Sequence, residues 1–496
     1  MTENHSPKCL EDIKIVDGHA VPLNTETQSF ADRDDQEMAY MGKKQQLKRN
    51  FRFLGILGLS STIMITWEGM FSVFIYGLED GGPGGLIYGF LFVWAGYMAV
   101  CASMAEMTSM YPTAGGQYHW TYILAPAPWN KFSSYITGWQ SVIAWEACLA
   151  SGTYLAGTMI QGLIVLNYPD YVFQRWHGTL LIYAVALFAL FFNTYVEHHL
   201  PKIEGVILIL HIGGFFAVLI PLVYLAPHSS ADDVFAKFLT MGGYDMGLSW
   251  FVGLLTPIFA FVGADGAMHM CEEVKDASTV VPNSLMASIG LNGILGFAML
   301  IAVLFCIGDI NTALNTPTGY PYLEIFTQAT NSIAGATAMA SLIVALVIFA
   351  CISILASASR IMWALARDQG LPGSHTLSKI EPTTKLPLWS LTTTTAITLL
   401  LGLINIGSAT AFNAIVSVVV AGYLGSYILP ISLFLYRRLH DPKSMRWGPW
   451  TLGRWGAAIN IFSLMFTLIV MRQYYHGPII EITLEEVVRD KRIGIG

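Results

Sequence analysis

The chain has 496 residues, of which 54% are hydrophobic and 12% charged, against about 25% charged in an ordinary soluble globular protein. That deficit excludes a water-solvated globule and points to a lipid environment, where lipid-facing positions must be apolar. The net charge of −7 comes with no concentrated basic patch, which excludes nucleic acid as a partner, and the six cysteines (Cys9, Cys101, Cys148, Cys271, Cys306 and Cys351) form no CxxC pair, so neither a zinc site nor a disulfide framework is expected.

In chain order, residues 1–48 are polar and read as a disordered tail, with no short apolar core and cleavage site of a signal peptide. A membrane domain is expected over 49–472 and a polar tail over 473–496. A spanning helix needs about 20 apolar residues. Eleven runs qualify: 53–78, 86–105, 133–163, 178–195, 205–226, 247–271, 284–307, 334–359, 386–405, 411–436 and 452–471. With the N-terminus placed in the cytoplasm, the inside loops collect Lys43, Lys44, Lys48, Arg49, Arg52, Lys131, Lys202, Lys275, Arg360, Arg367 and Arg437, while only Arg175 and Lys237 fall outside before the tenth run. This bias fits the positive-inside rule for ten spans. It fails after the eleventh, where Arg472, Arg489, Lys491 and Arg492 lie on the wrong side.

Two runs are interrupted. The first reads LGLSSTIMITWEGMFSVFIYGL, with Thr66, Trp67, Glu68 and Gly69 inside it; the sixth reads GLLTPIFAFVGADGAMHM, with Phe261, Gly263, Ala264, Asp265 and Gly266. Polar and glycine residues at membrane depth free backbone groups that must face protein or a cavity rather than lipid. Breaks five spans apart are what two inverted five-helix repeats place around a central solute. Free N–H groups at a half-helix start accept a carboxylate, and freed carbonyls accept an ammonium. The competing reading is a pair of kinks that only shape packing.

The segment GGPGGLIYGF with AEMTSMYPTAGGQYHW (Ala105 to Trp120) resembles the second span and following loop of the amino acid–polyamine–organocation superfamily. FVGADGAMHMCEEVKDASTVVP, ALARDQGLP, FQRWHGTLL and NTYVEHHLPKIEG resemble its fungal amino-acid/choline/GABA permease branch, over about residues 45–465. The resemblance implies an all-α LeuT-like bundle of inverted five-helix repeats with one or two extra helices. It also implies transport of an amino acid or related amine, often proton-driven, without a cofactor. The family has twelve spans; here NIFSLMF runs directly into TLIVMRQYYHGPI, as though the end of the eleventh span and the start of the twelfth were lost and the remainder fused.

Glu68 and Asp265 each admit two roles: binding the solute's cation or a proton, or capping exposed helix N–H groups. Glu146, mid-span in GWQSVIAWEACLASG, stands where the related pattern often has Gln and is the proton-coupling candidate. Trp67, Phe259 and Phe261 offer aromatic faces to an ammonium or simply pack. Glu106, Glu272, Glu273 and Arg360 are candidates for a cytoplasmic gate, or else solvated loop charges. Ser353, Ser357 and Ser359 are read as small-residue packing before a sodium site, and His211 as a satisfied interior histidine. No metal-spaced His cluster, GxSxG or phosphate loop supports an enzyme. A secondary transporter in the plasma membrane is expected, taking an amino acid or, next, choline; a non-transporting nutrient sensor is the rival.

Overall fold

The computed structural model describes residues 13–16, 19–22 and 30–476. It is a bundle of apolar helices whose eleven spans match the eleven runs. The first span is split into Phe53–Met64 and Thr66–Ser72. The second to fifth are Gly82–Met110, Asn130–Asn167, Arg175–Tyr195 and Leu200–Leu225. The sixth is split into Met246–Gly253, Leu255–Phe259 and Gly266–His269. The seventh to eleventh are Ala277–Phe305, Ile333–Arg367, Leu388–Gly402, Ala409–His440 and Gly456–His476. Ten of these helices are long and apolar enough to cross a membrane; the sixth is not, because its break divides it. A polytopic helical membrane protein is therefore what the apolar runs build. The eleventh helix passes unbroken through the expected fusion point, and the tail beyond 476 lies outside the described residues.

The expected tail over 1–48 differs from the structure in part. Phe30–Tyr40 forms a helix that docks on the bundle. Asp34 accepts the backbone N–H of Asp276 (2.9 Å) and Ala277 (3.3 Å) at the start of the seventh span, and Arg33 pairs with Asp276. A carboxylate there suits the positive end of the helix. Composition reads this stretch as a tail because its contacts are polar and distant in sequence.

The helices approach closely where glycine permits. The first span lies so tight on the fifth that a Cβ at Gly58 would sit 2.4 Å from the Glu204 carbonyl oxygen. Backbone cannot yield there as a side-chain tip can. Gly58→Val is expected to destabilise the fold by about 1–3 kcal/mol, read as a lower thermal unfolding midpoint in detergent; an unchanged midpoint would show that the seam is loose.

Candidate functional site

The break in the first span is narrower than the sequence indicates. In the polar stretch it is the single residue Ile65, which adopts left-handed φ 35° and ψ 48°, a conformation that costs a β-branched residue about 1–3 kcal/mol; a second interruption follows at Val73, between Thr66–Ser72 and Phe74–Glu79. Thr66, Trp67, Glu68 and Gly69 are not unwound; they form the first turn of the second half-helix, where backbone N–H groups lack intrahelical partners. One is met by Asn292 of the seventh span, whose Oδ1 accepts from Thr66 N–H at 3.3 Å. In the sixth span Gly263 (φ +79°) turns the chain between Phe259 and Gly266. Its glycine identity is required twice over, since a Cβ would also reach 2.4 Å from Ile63 Cγ2.

The two breaks meet. Thr66 Oγ1 donates to the Ala260 carbonyl at 2.8 Å. Thr256 Oγ1 donates to the Val73 carbonyl at 2.6 Å and accepts from Gly77 N–H at 3.0 Å. Thr66 thus meets a carbonyl in the sixth-span break, and Thr256 meets peptide groups at the Val73 interruption of the first span. Gly263 and Gly266 also lie against Ile63 and the ring of Trp145 from the third span. All the residues of both breaks except Ile65 are buried, so the described state is occluded.

Glu68 caps nothing. Its Oε1 lies 2.6 Å from Nδ1 of His211 on the fifth span, and both side chains are within 1% of full burial. Trp67 packs edge-on to Phe215, with ring centroids 6.2 Å apart. Asp265 precedes the Gly266–His269 helix without a side-chain cap bond; its Oδ2 accepts from Gln117 Nε2 at 2.6 Å and lies 3.4 Å from His269 Nε2. Ala264 is buried beside it. Phe261 turns away into the second span, stacked on Tyr97 (5.7 Å, 26°) and near Phe90 (5.3 Å), which is helix packing. Glu146 Oε1 accepts from Thr394 of the ninth span at 2.7 Å; the adjacent Trp145, not Glu146, faces the breaks.

Glu68 Oε2, Asp265 Oδ1, His211 Nε2, Trp67 Nε1 and Trp145 Nε1 are buried with no hydrogen-bond partner among the described residues. Unpartnered buried polar atoms also occur elsewhere in the bundle, but these five lie in or beside the two breaks. The sequence reading took His211 as a satisfied interior histidine without its partner Glu68, and missed Gln117, His269, Trp145 and Asn292. One signal was present: Glu204 and His211 lie two turns apart on the fifth span, on one face. Among the described residues no group of three or more His, Cys, Asp or Glu is placed to hold a metal ion.

The matching region of the amino acid permease model covers residues 57–477. The chain belongs to this amino acid permease family. Among its relatives is a putative amino acid/polyamine transporter of Macrophomina phaseolina, 35% identical over 83% of this chain and 91% of that protein. The choline transporter of Saccharomyces cerevisiae is 30% identical over 94% and 82%, and a swainsonine transporter of Arthroderma benhamiae 29% over 91% and 90%. This permease is accordingly a membrane transporter, not an enzyme.

On the face that carries the N-terminal segment, the gate candidates are not solvated charges. Arg367 binds Glu272 through two 2.7 Å hydrogen bonds, and Arg360, fully buried, binds Glu273 at 2.7 Å. These pairs join the sixth span to the eighth. Glu106 pairs instead with Arg438 of the tenth span and accepts Leu452 N–H at 2.9 Å. Lys43 binds Asp368; burial works to raise the Asp368 carboxyl, but Lys43 and Arg367 outweigh it and hold it below the usual carboxylate range. A cavity of about 550 Å³ opens beside this pair, lined by Tyr118, His119 and Lys131. Removing one partner of a buried pair leaves an uncompensated charge, at roughly 3–5 kcal/mol. Arg360→Gln should therefore lower the unfolding midpoint more than the double variant Arg360→Gln/Glu273→Gln; equal losses would mean that the ion pair does not matter.

Proposed function

We propose that the permease is a secondary active transporter of an amino acid or related amine, working by alternating access and driven by protons. The observation that carries this reading is the Thr66–Ala260 contact between the two interrupted spans. It sets the N-terminus of the half-helix that opens at Thr66 against a carbonyl freed in the sixth span, inside an otherwise apolar bundle. The half-helix that opens at Thr66 suits a carboxylate. The carboxylates of Glu68 and Asp265 with the face of Trp67 suit an ammonium. On this reading Thr66, Trp67, Glu68, Gly69, Gly263, Ala264, Asp265 and Gly266 line the solute site, while Phe261 supports it by packing.

The Glu272–Arg367 and Glu273–Arg360 pairs act as the closed inward gate, which must separate when the first and sixth spans swing from the eighth. The face bearing Lys43, Arg49 and Lys131 lies in the cytoplasm and the protein in the plasma membrane. A quaternary amine such as choline is the second reading, favoured by the two acids at the breaks and by the choline-transporting relative.

Uptake of labelled alanine, lysine, GABA and choline into proteoliposomes containing the purified chain tests the proposal. Uptake of at least one is expected; binding without uptake would make the protein a sensor and sink the claim. Glu68→Gln should reduce uptake of lysine about tenfold or more, the ~1.5–3 kcal/mol of a hydrogen bond to a charged group, reduce that of choline through the lost negative charge alone, and reduce that of alanine less than that of lysine. Equal losses would remove Glu68 from cation recognition.

A further inference from the structure

Four buried acids of the bundle share one pattern: Glu68, Glu146, Glu204 and Asp265 each have one oxygen bonded to a neighbour and the other without a partner among the described residues, Asp265 in the sixth-span break on Gln117. They differ in what they lie between. Glu68 belongs to the break and pairs with His211. Glu146 sits among the third, eighth and ninth spans, three continuous helices packed on one another. Glu204 lies on the fifth span where it contacts both the interrupted first span and the continuous eighth. Ser353 of the eighth donates to its Oε1 at 2.6 Å, and Thr62 of the first is its other polar neighbour.

We infer that Glu204 carries the coupled proton, holding it while the first and eighth spans are packed against it and exchanging it with water when they part. This rests on the proton-driven reading above and names its residue, in place of Glu146. The hydrogen-bond pattern suits the protonated acid. Oε1 accepts from Ser353. Oε2 has no partner among the described residues, and Thr62 directs its own proton to the Gly58 carbonyl at 2.7 Å, so Ser353 is the one donor the carboxyl has. Among the described residues no cation pairs with the carboxylate. The half-helix Phe53–Met64 and the seventh span contain no acid or base. The eighth contributes the Cys351 thiol and two arginines, Arg360 and Arg367, both engaged by Glu273 and Glu272. From Pro321–Thr330 come Tyr322 and Glu324, the latter bound to Gln328. The turn before the fifth span holds Glu197, His198 and His199; on the span itself Lys202 is exposed and His211 is taken by Glu68. An ionised acid in a dry seam is costly, so loss of the proton requires the seam to open. That ties protonation to the movement of the first span.

The test uses the full chain in liposomes with a pH gradient of one unit, acid outside, and labelled alanine, lysine, GABA and choline. One proton per solute supports about tenfold accumulation at that gradient, since a unit of pH is worth 1.36 kcal/mol. The wild-type chain should accumulate one of these compounds to about that extent. Glu204→Gln, a fixed mimic of the protonated acid, should abolish accumulation while retaining counterflow of the same compound within about threefold, and Glu204→Asp should recover part of the accumulation. Retained accumulation in Glu204→Gln overturns the assignment, as does loss of counterflow along with it, which would mark Glu204 as structural. Loss of coupling in Glu146→Gln but not in Glu204→Gln overturns it in favour of Glu146. Wild-type transport that ignores the pH gradient overturns the proton-driven reading itself, and this inference with it.

Discussion

Hydrocarbon offers a peptide group no hydrogen-bond partner, so every N–H and C=O released within a span must be met by protein. The architecture of the site follows from that constraint. Ile65 and the turn Ala260–Asp265 both interrupt helical ladders in the middle of apolar segments. Neither break is tolerable alone. Together they are, because Thr66 reaches the Ala260 carbonyl and Asn292 receives the Thr66 N–H, while Thr256 meets the Val73 carbonyl where the Thr66–Ser72 helix ends. Two hydroxyls and an amide do what a continuous helix does elsewhere. The partners are side chains and single backbone atoms, which part more readily than a full ladder.

The same economy governs charge. The acids at depth have neighbours from other elements: Glu68 with His211, Asp265 with Gln117, Glu204 with Ser353, Glu273 with Arg360. Buried pairs add little net stability over apolar packing, but they are expensive to break one side at a time. They therefore specify which helices sit together in one state without welding them. The fifth span illustrates this. Glu204 and His211 project from one face, one against the half-helix before the Ile65 break and the other against the half-helix after it, so a single straight helix supports both sides of the discontinuity. The N-terminal helix Phe30–Tyr40 extends the pattern beyond the bundle, with Asp34 at the head of the seventh span and Lys43 on Asp368.

Much of this was legible in the amino acid order. A run of about 20 apolar residues has few fates other than a span, so the number and sequence of spans follow from hydropathy. Polar and glycine residues within such runs mark the breaks to within a few positions, and Gly263 is required by its positive φ. The exact place of the first break was not legible. Thr66, Trp67, Glu68 and Gly69 look like the interruption because they are polar or small, yet they are the helical turn after it, and a β-branched isoleucine bears the strain. Aromatic residues beside a break are equally ambiguous: Phe261 and Trp67 are similar in sequence context, but the Phe261 ring is consumed by Tyr97 and Phe90.

Hydrophobicity and glycine placement are local properties, and they suffice for a polytopic helical bundle with two interrupted spans and, through its motifs, for the permease family. Pairing between distant side chains is not local. His211 with Glu68, Glu106 with Arg438 rather than with the arginines of the eighth span, and Glu204 on the seam with Thr62 and Ser353 depend on which helix faces align, on rotations of tens of degrees and shifts of a few ångströms. Those are set by packing of the whole bundle, because the bilayer rewards any apolar surface alike and leaves interhelical fit to choose the partners.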